Sequence, residues 1–289
     1  MELLKPTNDY VFKKIFGKSG NEDILIDLLE SIMNVKIKQI EIQKDATLER
    51  TIEDNKLGIL DIKATLNNNT IVDLEMQVSN NHNVIERALF YLSGMYHDSL
   101  MKSEDYRNSN KTVVIFIMDF DYFNEGPFHE IAYMKREYEN IILTDKFEIH
   151  LIQLPKFKKK CTRISKAVEE WLTFINVKRI GEMNMPDFKN KMVQKAMKEL
   201  ETLSGDEEQR RLAELRDKAI RDENDGRTYE REQGKIEGKI EGKIEGKLEG
   251  KLEGKTEIVK NMLKNKLDIE LICKVTGFTK QEIEQIKNK

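Results

Sequence analysis

In TIVDLEMQV, Thr70 to Val78, apolar and polar residues alternate. As a strand it puts Val72, Leu74, Met76 and Val78 on one face and Ile71, Asp73, Glu75 and Gln77 on the other. The preceding LGILDIKATL, Leu57 to Leu66, alternates in the same way, and the intervening Asn67-Asn68-Asn69 tolerates the left-handed backbone of a tight turn. With Leu66 paired to Thr70, counting back sets Ile62 opposite Leu74, Lys63 opposite Asp73 and Asp61 opposite Glu75. One face is then a core face, built from Leu60, Ile62, Ala64, Leu66, Val72, Leu74 and Met76. On the other, two carboxylates confront each other, which costs an amount on the scale of about 0.2–1 kcal/mol. A hard divalent cation relieves such a conflict, because Mg2+ takes one or two carboxylates and completes its shell with water and phosphate. A plain hairpin with one apolar and one polar face accounts for the same spacing.

Outward from the hairpin, NEDILIDLLESIM (Asn21 to Met33) reads as a capped helix with Ile24, Leu25, Leu28, Leu29 and Ile32 on one face. VKIKQIEIQK reads as a strand with a slip between Ile37 and Ile40. A helix is expected from about Asn83 to Leu100, burying Val84, Ala88, Tyr91, Leu92 and Met95. TVVIFIMDF, Thr112 to Phe120, is almost wholly apolar, as in a central strand covered on both faces. FEIHLIQLPKF is a strand ended by Pro155, and SKAVEEWLTFI a helix packing Val168, Trp171, Leu172 and Ile175. The order describes an α/β chain with a mixed sheet flanked by helices, ending near residue 180.

A charged, helix-prone linker follows over 181–233, and then GKIEGKIEGKIEGKLEGKLEGK, Gly234 to Lys255, repeats every four residues. On a helix this period sets Lys against Lys and Glu against Glu at i+4. Each interior glycine costs about 1 kcal/mol relative to alanine. In isolation the segment is expected to be a weak helix at best. It reads as a solvated spacer or, alternatively, as a helix whose glycine row admits a second copy at a right-handed crossing. In the last segment, 256–289, two short helical patterns flank TGFT, with Gly277 as a C-cap and a capping box from Thr279 to Glu282.

The chain of 289 residues has 39% hydrophobic and 35% charged residues and a net charge of -3, with a mean hydropathy of -0.60. No apolar run approaches the roughly 20 residues of a membrane span, and no signal peptide opens the sequence, so a cytoplasmic protein without a membrane partner is expected. Cys161 and Cys273 have no paired spacing, and the four histidines have no ligand spacing, His129 and His150 each standing alone. Lys156, Lys158, Lys159, Lys160, Arg163 and Lys166 form the densest basic cluster, a candidate phosphate-contacting patch or a solvated loop. Arg87 and Tyr91 stand one helical turn apart, so Arg87 is a candidate for a phosphate or a charge laid over an aromatic ring.

An Asp near the end of one strand followed by Glu-x-Gln in the next resembles the PD-(D/E)XK nuclease superfamily, with LDIKA and VDLEMQV as its core. NDYVFKKIFG, IHLIQLPKF, EEWLTF, the EGKIEGK repeat and MLKNKLDIELICKVTGFTKQEIEQI, in that order, resemble the Rpn family of recombination-promoting nucleases and transposase-like proteins over essentially the whole chain. That resemblance implies a restriction-endonuclease-like fold over 1–180 and DNA cleavage dependent on Mg2+ or Mn2+. It implies Asp61 and Glu75 as metal ligands, with the carbonyl of Met76 a further one. Gln77 stands where the superfamily usually has Lys; an amide can orient water but supplies no positive charge. Lys63 or Lys13 is then expected to supply it. Asp9, in NDYVFKKIFG, is either another acidic member of the site or the N-cap of the helix holding Phe12 and Phe16. DNA is the implied partner, and by analogy with the fold a homo-oligomer, most simply a dimer. The alternative function is a nuclease-shaped DNA-binding or assembly protein without catalysis.

Overall fold

The computed structural model describes residues 2–43, 62–80, 82–100, 105–138, 140–157, 165–177 and 186–287. Two compact units divide the chain, Met1–Asp222 and Glu223–Lys289.

In the first unit, among the described residues, six strands form one mixed sheet in the order β1-β2-β3-β4-β6-β5. The strands are β1 (Ile40–Ile42), β2 (Ile62–Leu66), β3 (Ile71–Gln77), β4 (Thr112–Met118), β5 (His129–Tyr133) and β6 (Phe147–Gln153). The hairpin register follows the alternation: Ile62 faces Leu74 and Lys63 faces Asp73. Leu66 N–H donates to the Thr70 carbonyl at 2.8 Å, and Asn69 carries the turn at a φ of 59°. β3, β4 and β6 run parallel, and β4 is buried at every position, as a central strand must be. Only Ile40–Ile42 of VKIKQIEIQK enters the sheet; Ile37 is buried outside it, so the expected slip marks the strand's beginning rather than a bulge.

The expected core face of the hairpin packs against α1 (Asp9–Phe16), α2 (Glu22–Met33), α5 (Lys166–Ile175) and α6 (Lys191–Gly205). Phe16, Trp171 and Phe174 interlock at its centre, with ring centroids 5.5 to 6.4 Å apart. The opposite face is covered by α3 (Val84–Asp98), which buries Val84, Ala88, Leu92 and Met95 on Val114, Phe116, Met118, Ile149 and Leu151. Both faces being covered, the carboxylate face of β3 is not turned to water: Asp73 is 0% and Glu75 2% exposed. A single helical turn, α4 (Leu154–Phe157), follows β6 at the proline.

The unit continues beyond residue 180. Val193, Ala196 and Leu200 of α6 and Leu212 and Ala213 of α7 (Glu207–Lys264) belong to the same core. Asn21 does not cap α2 with its side chain; its amide donates to the Ile15 carbonyl instead, tying the end of α1 to the start of α2.

In the second unit the repeat lies within α7, an unbroken helix through residue 264, although its period gives it no helix-stabilising pairs of its own. Val259, Ile272 and Ile283 form a small core with α8 (Ile269–Thr276) and α9 (Lys280–Lys287). Gly277 has a φ of 78° as the C-cap of α8, and Thr279 and Glu282 exchange the two hydrogen bonds of a capping box. No helix among the described residues is long and apolar enough to cross a membrane.

Candidate active site

β3 ends in a part-buried polar cluster around the buried Glu75. Because side chains alternate, Glu75 and Gln77 leave the strand on the α3 side, beside Phe116 and Met118 of β4. α3 starts seven residues after Gln77, so its first turn stands over the end of β3 and delivers Arg87 to both side chains. Arg87 Nη2 donates to Glu75 Oε2 at 2.7 Å and Nη1 to Gln77 Oε1 at 2.7 Å. Gln77 Nε2 closes the triangle on Glu75 Oε2 at 2.5 Å. The guanidinium also donates to the Tyr91 hydroxyl at 3.1 Å and lies 5.5 Å from the Tyr91 ring and 5.8 Å from the Phe116 ring.

Electrostatics follow from this geometry. Burial opposes the charge on Arg87, but Glu75, with Tyr91 and Asp73, raises its pKa above the ordinary value. Burial first, and then the Glu75 charge, push the Tyr91 hydroxyl up to about 12, so it stays protonated. Arg87 is therefore a fixed cation paired to Glu75, both a charge over an aromatic ring and part of the polar cluster.

Asp61 lies outside the described residues, immediately before Ile62, the first residue of β2. Gln77 O accepts from Asp119 N–H at 2.9 Å, on the β4 side of β3. Carbonyls alternate along a strand, so that of Met76 is directed to the β2 side, toward the strand that Asp61 precedes. A Glu carboxylate and a strand carbonyl are oxygen donors of the kind a hard divalent cation takes. Among the described residues no group of three or more His, Cys, Asp or Glu side chains could hold a metal ion. Lys63 stands opposite Asp73 on the polar face of the hairpin, and Lys13 stands on α1, in the layer over the apolar face.

Asp9 is not the N-cap of α1. Asn8 caps α1, its Oδ1 accepting from Val11 N–H at 3.2 Å. The Asp9 carboxylate is gripped instead by Arg216 of α7, with Nε 3.0 Å from both oxygens and Nη2 2.7 Å from Oδ2. Asn8 Nδ2 donates to the Ala213 carbonyl and to Asp217, and Tyr10 Oη to Gln209. NDY is thus the socket for α7, and Arg216, 207 residues away, has no local signal that would have announced it.

Of the basic cluster, Lys156 is half-buried and donates to the Glu125 carbonyl at 2.6 Å, while Lys158, Lys159, Lys160 and Arg163 lie outside the described residues. His129 and His150 do not stand alone. The antiparallel pairing of β5 and β6 stacks them 5.1 Å apart with Nε2 and Nδ1 at 2.9 Å, and His150 Nε2 meets Glu148 at 2.6 Å. Only the pairing of β5 with β6 makes the two histidines neighbours.

Comparison with protein families agrees with the resemblance. The profile of the PD-(D/E)XK nuclease family transposase matches residues 6–230, and that of the Rpn/YhgA-like nuclease family C-terminal HTH domain matches residues 252–288. No curated protein and no solved structure gives a significant match. With the first profile spanning well over half the chain and the mixed sheet carrying Glu-x-Gln at the end of its third strand, the protein belongs to the PD-(D/E)XK nuclease family transposases, with a restriction-endonuclease-like fold and a C-terminal HTH domain of the Rpn/YhgA-like type.

Proposed function

We propose that the chain is a divalent-metal-dependent DNA endonuclease of the recombination-promoting type. The observation that carries the reading is the part-buried cluster of Glu75, Gln77 and Arg87 at the end of β3, the strand paired with β2, which Asp61 precedes in the sequence. Asp61, Glu75 and the Met76 carbonyl are the groups that would hold Mg2+ or Mn2+. When bound there, such an ion lowers the pKa of a water and stabilises charge on a phosphodiester. Gln77 fixes the Glu75 carboxylate through one N–H and can orient a water through the other. Arg87 sets the rotamer of both and supplies the positive charge that Gln77 lacks. Lys63 is a further candidate cation on that face, and Lys156 with Lys158, Lys159 and Lys160 the candidate backbone contact. The HTH domain supplies a second DNA-contacting element. Asp9 is assigned to docking α7, on the strength of its bond to Arg216.

The second reading is a nuclease fold without catalysis. It is favoured by one observation: Glu75 Oε2 already accepts from both Arg87 and Gln77.

Plasmid nicking separates the two. Wild type, Asp61→Ala and Glu75→Gln are compared with Mg2+, with Mn2+ and with EDTA, once circular dichroism shows all three folded. Cleavage by wild type alone, abolished by EDTA and reduced at least a hundredfold in both variants, is the expected result. DNA retention without cleavage by any of them would establish the binding protein instead.

A further inference from the structure

The repeat leaves an unusual surface on α7. Ile236, Ile240, Ile244, Leu248 and Leu252 form one row at i+4 spacing, and each is 53 to 63% exposed. At 3.6 residues per turn a row of this spacing is one of the ridges by which helices pack. The neighbouring positions are uniform: the residue before each aliphatic is Lys and the residue after it is Glu. A lysine row and a glutamate row therefore flank the aliphatic row, roughly 100° to either side.

Within one helix these rows only repel. No Lys and Glu of the repeat lie three or four residues apart, and every i+4 charge pair joins like charges. A helix with glycine at every fourth position, like charges stacked along it and an aliphatic ridge in water lacks the means to be stable alone. A second helix with the same pattern supplies both missing terms. In a parallel pair meeting on the aliphatic ridge, the row after the ridge in one copy faces the row before it in the other, so Glu faces Lys along both flanks. An antiparallel pair would face Lys with Lys and Glu with Glu. The glycine row, on the other side of the helix, also meets open space, but it offers no apolar side chains to remove from water.

We propose that the repeat is a parallel self-association surface, in which Ile240, Ile244 and Leu248 of two copies meet at a right-handed crossing of about −50°. The row drifts by roughly 40° around the helix per repeat, which confines the contact to a few turns about Ile244. The partner is a second copy of this chain, and the inference is independent of whether the first unit cuts DNA.

Sedimentation velocity of the full chain tests it. Wild type is expected to be dimeric at micromolar concentration. Ile240→Asp with Ile244→Asp should raise the dissociation constant at least tenfold while the fluorescence of the sole tryptophan, Trp171 in the first unit, is unchanged. Two charge variants complete the test: one with Glu237, Glu241, Glu245 and Glu249 changed to Lys, the other with Lys239, Lys243, Lys247 and Lys251 changed to Glu. Each alone should be monomeric and the mixture dimeric, a recovery that mere unfolding cannot produce. In a Cys161→Ser, Cys273→Ser background, Ile240→Cys should crosslink to itself and not to Leu248→Cys. A monomeric wild type, a dimer indifferent to the aspartates, no recovery on mixing, or crosslinking only between positions 240 and 248 would each overturn the proposal.

Discussion

Replacing Arg216 by alanine tests how the start of α7 is held within the first unit. The perturbation is confined: Arg216 and Asp9 are 7% exposed each, and three short hydrogen bonds join them. With the guanidinium gone, the Asp9 carboxylate stays buried, with the Tyr10 N–H 2.8 Å from Oδ1. Stranding one member of a buried ion pair costs about 3–5 kcal/mol. For a unit of this size that corresponds to a fall in Tm of roughly 10 °C. Trp171 is wholly buried against Phe16 and Phe174, so its emission reports unfolding of this unit apart from the second one. Combining Arg216→Met with Asp9→Asn removes both charges, and should be less harmful than Arg216→Met alone, because the penalty lies in the unpaired ion rather than in the missing pair. A loss below about 1 kcal/mol in Arg216→Ala, or a double variant worse than the single one, would refute the docking of NDY on α7.

Two other outcomes are expected. Gln77→Lys puts an ammonium where the amide oxygen accepts from Arg87 at 2.7 Å, setting two cations side by side. It should lower cleavage at least tenfold in the nicking assay, despite restoring the superfamily's usual residue; a faster enzyme would show that Arg87 does not supply the charge. Stability should fall with acid in two stages. Burial, and then His150, bring His129 down to about 4 from 6.5, so the unfolded chain takes up a proton that the native state refuses, and stability drops as pH falls from 6.5 to 4. Burial works to raise Glu148, but hydrogen bonds from His150 and Lys111 prevail and hold it at about 2, so its contribution is lost only as pH falls from 4.5 toward 2. His129→Gln should remove the first stage and keep the second, read from urea midpoints by Trp171 emission between pH 3 and 7; an unchanged pH dependence would contradict the assignment.

What the sequence made legible is local. The hairpin register follows from period two and an asparagine turn, and the capping box at Thr279 from a four-residue signature, because both depend on neighbours within a few positions. The helicity of the repeat was not readable, since its rows offer no i+4 partners within the chain. The extent of the first unit was obscured because α6 and the start of α7 look charged, and their sparse apolar positions matter only once α1 and α2 are there to receive them.

The site lies between these cases. The i+4 spacing of Arg87 and Tyr91 correctly predicts their contact, at 3.1 Å, yet says nothing about Glu75 and Gln77. Their meeting depends on topology. β3 and β4 are parallel neighbours joined through α3, and such a crossover must pack its helix back on the sheet. Six residues separate Gln77 from Val84, so the helix begins near the end of β3, and a residue in its first turn that faces the sheet reaches the last polar side chains of the strand. A long cation at that position meets Glu75, and burial makes the pairing necessary, since a carboxylate 2% exposed is costly to leave without a counter-charge. Arg87 therefore follows from three facts together: the parallel crossover, the short connection and the burial of Glu75. Spacing alone carries none of them.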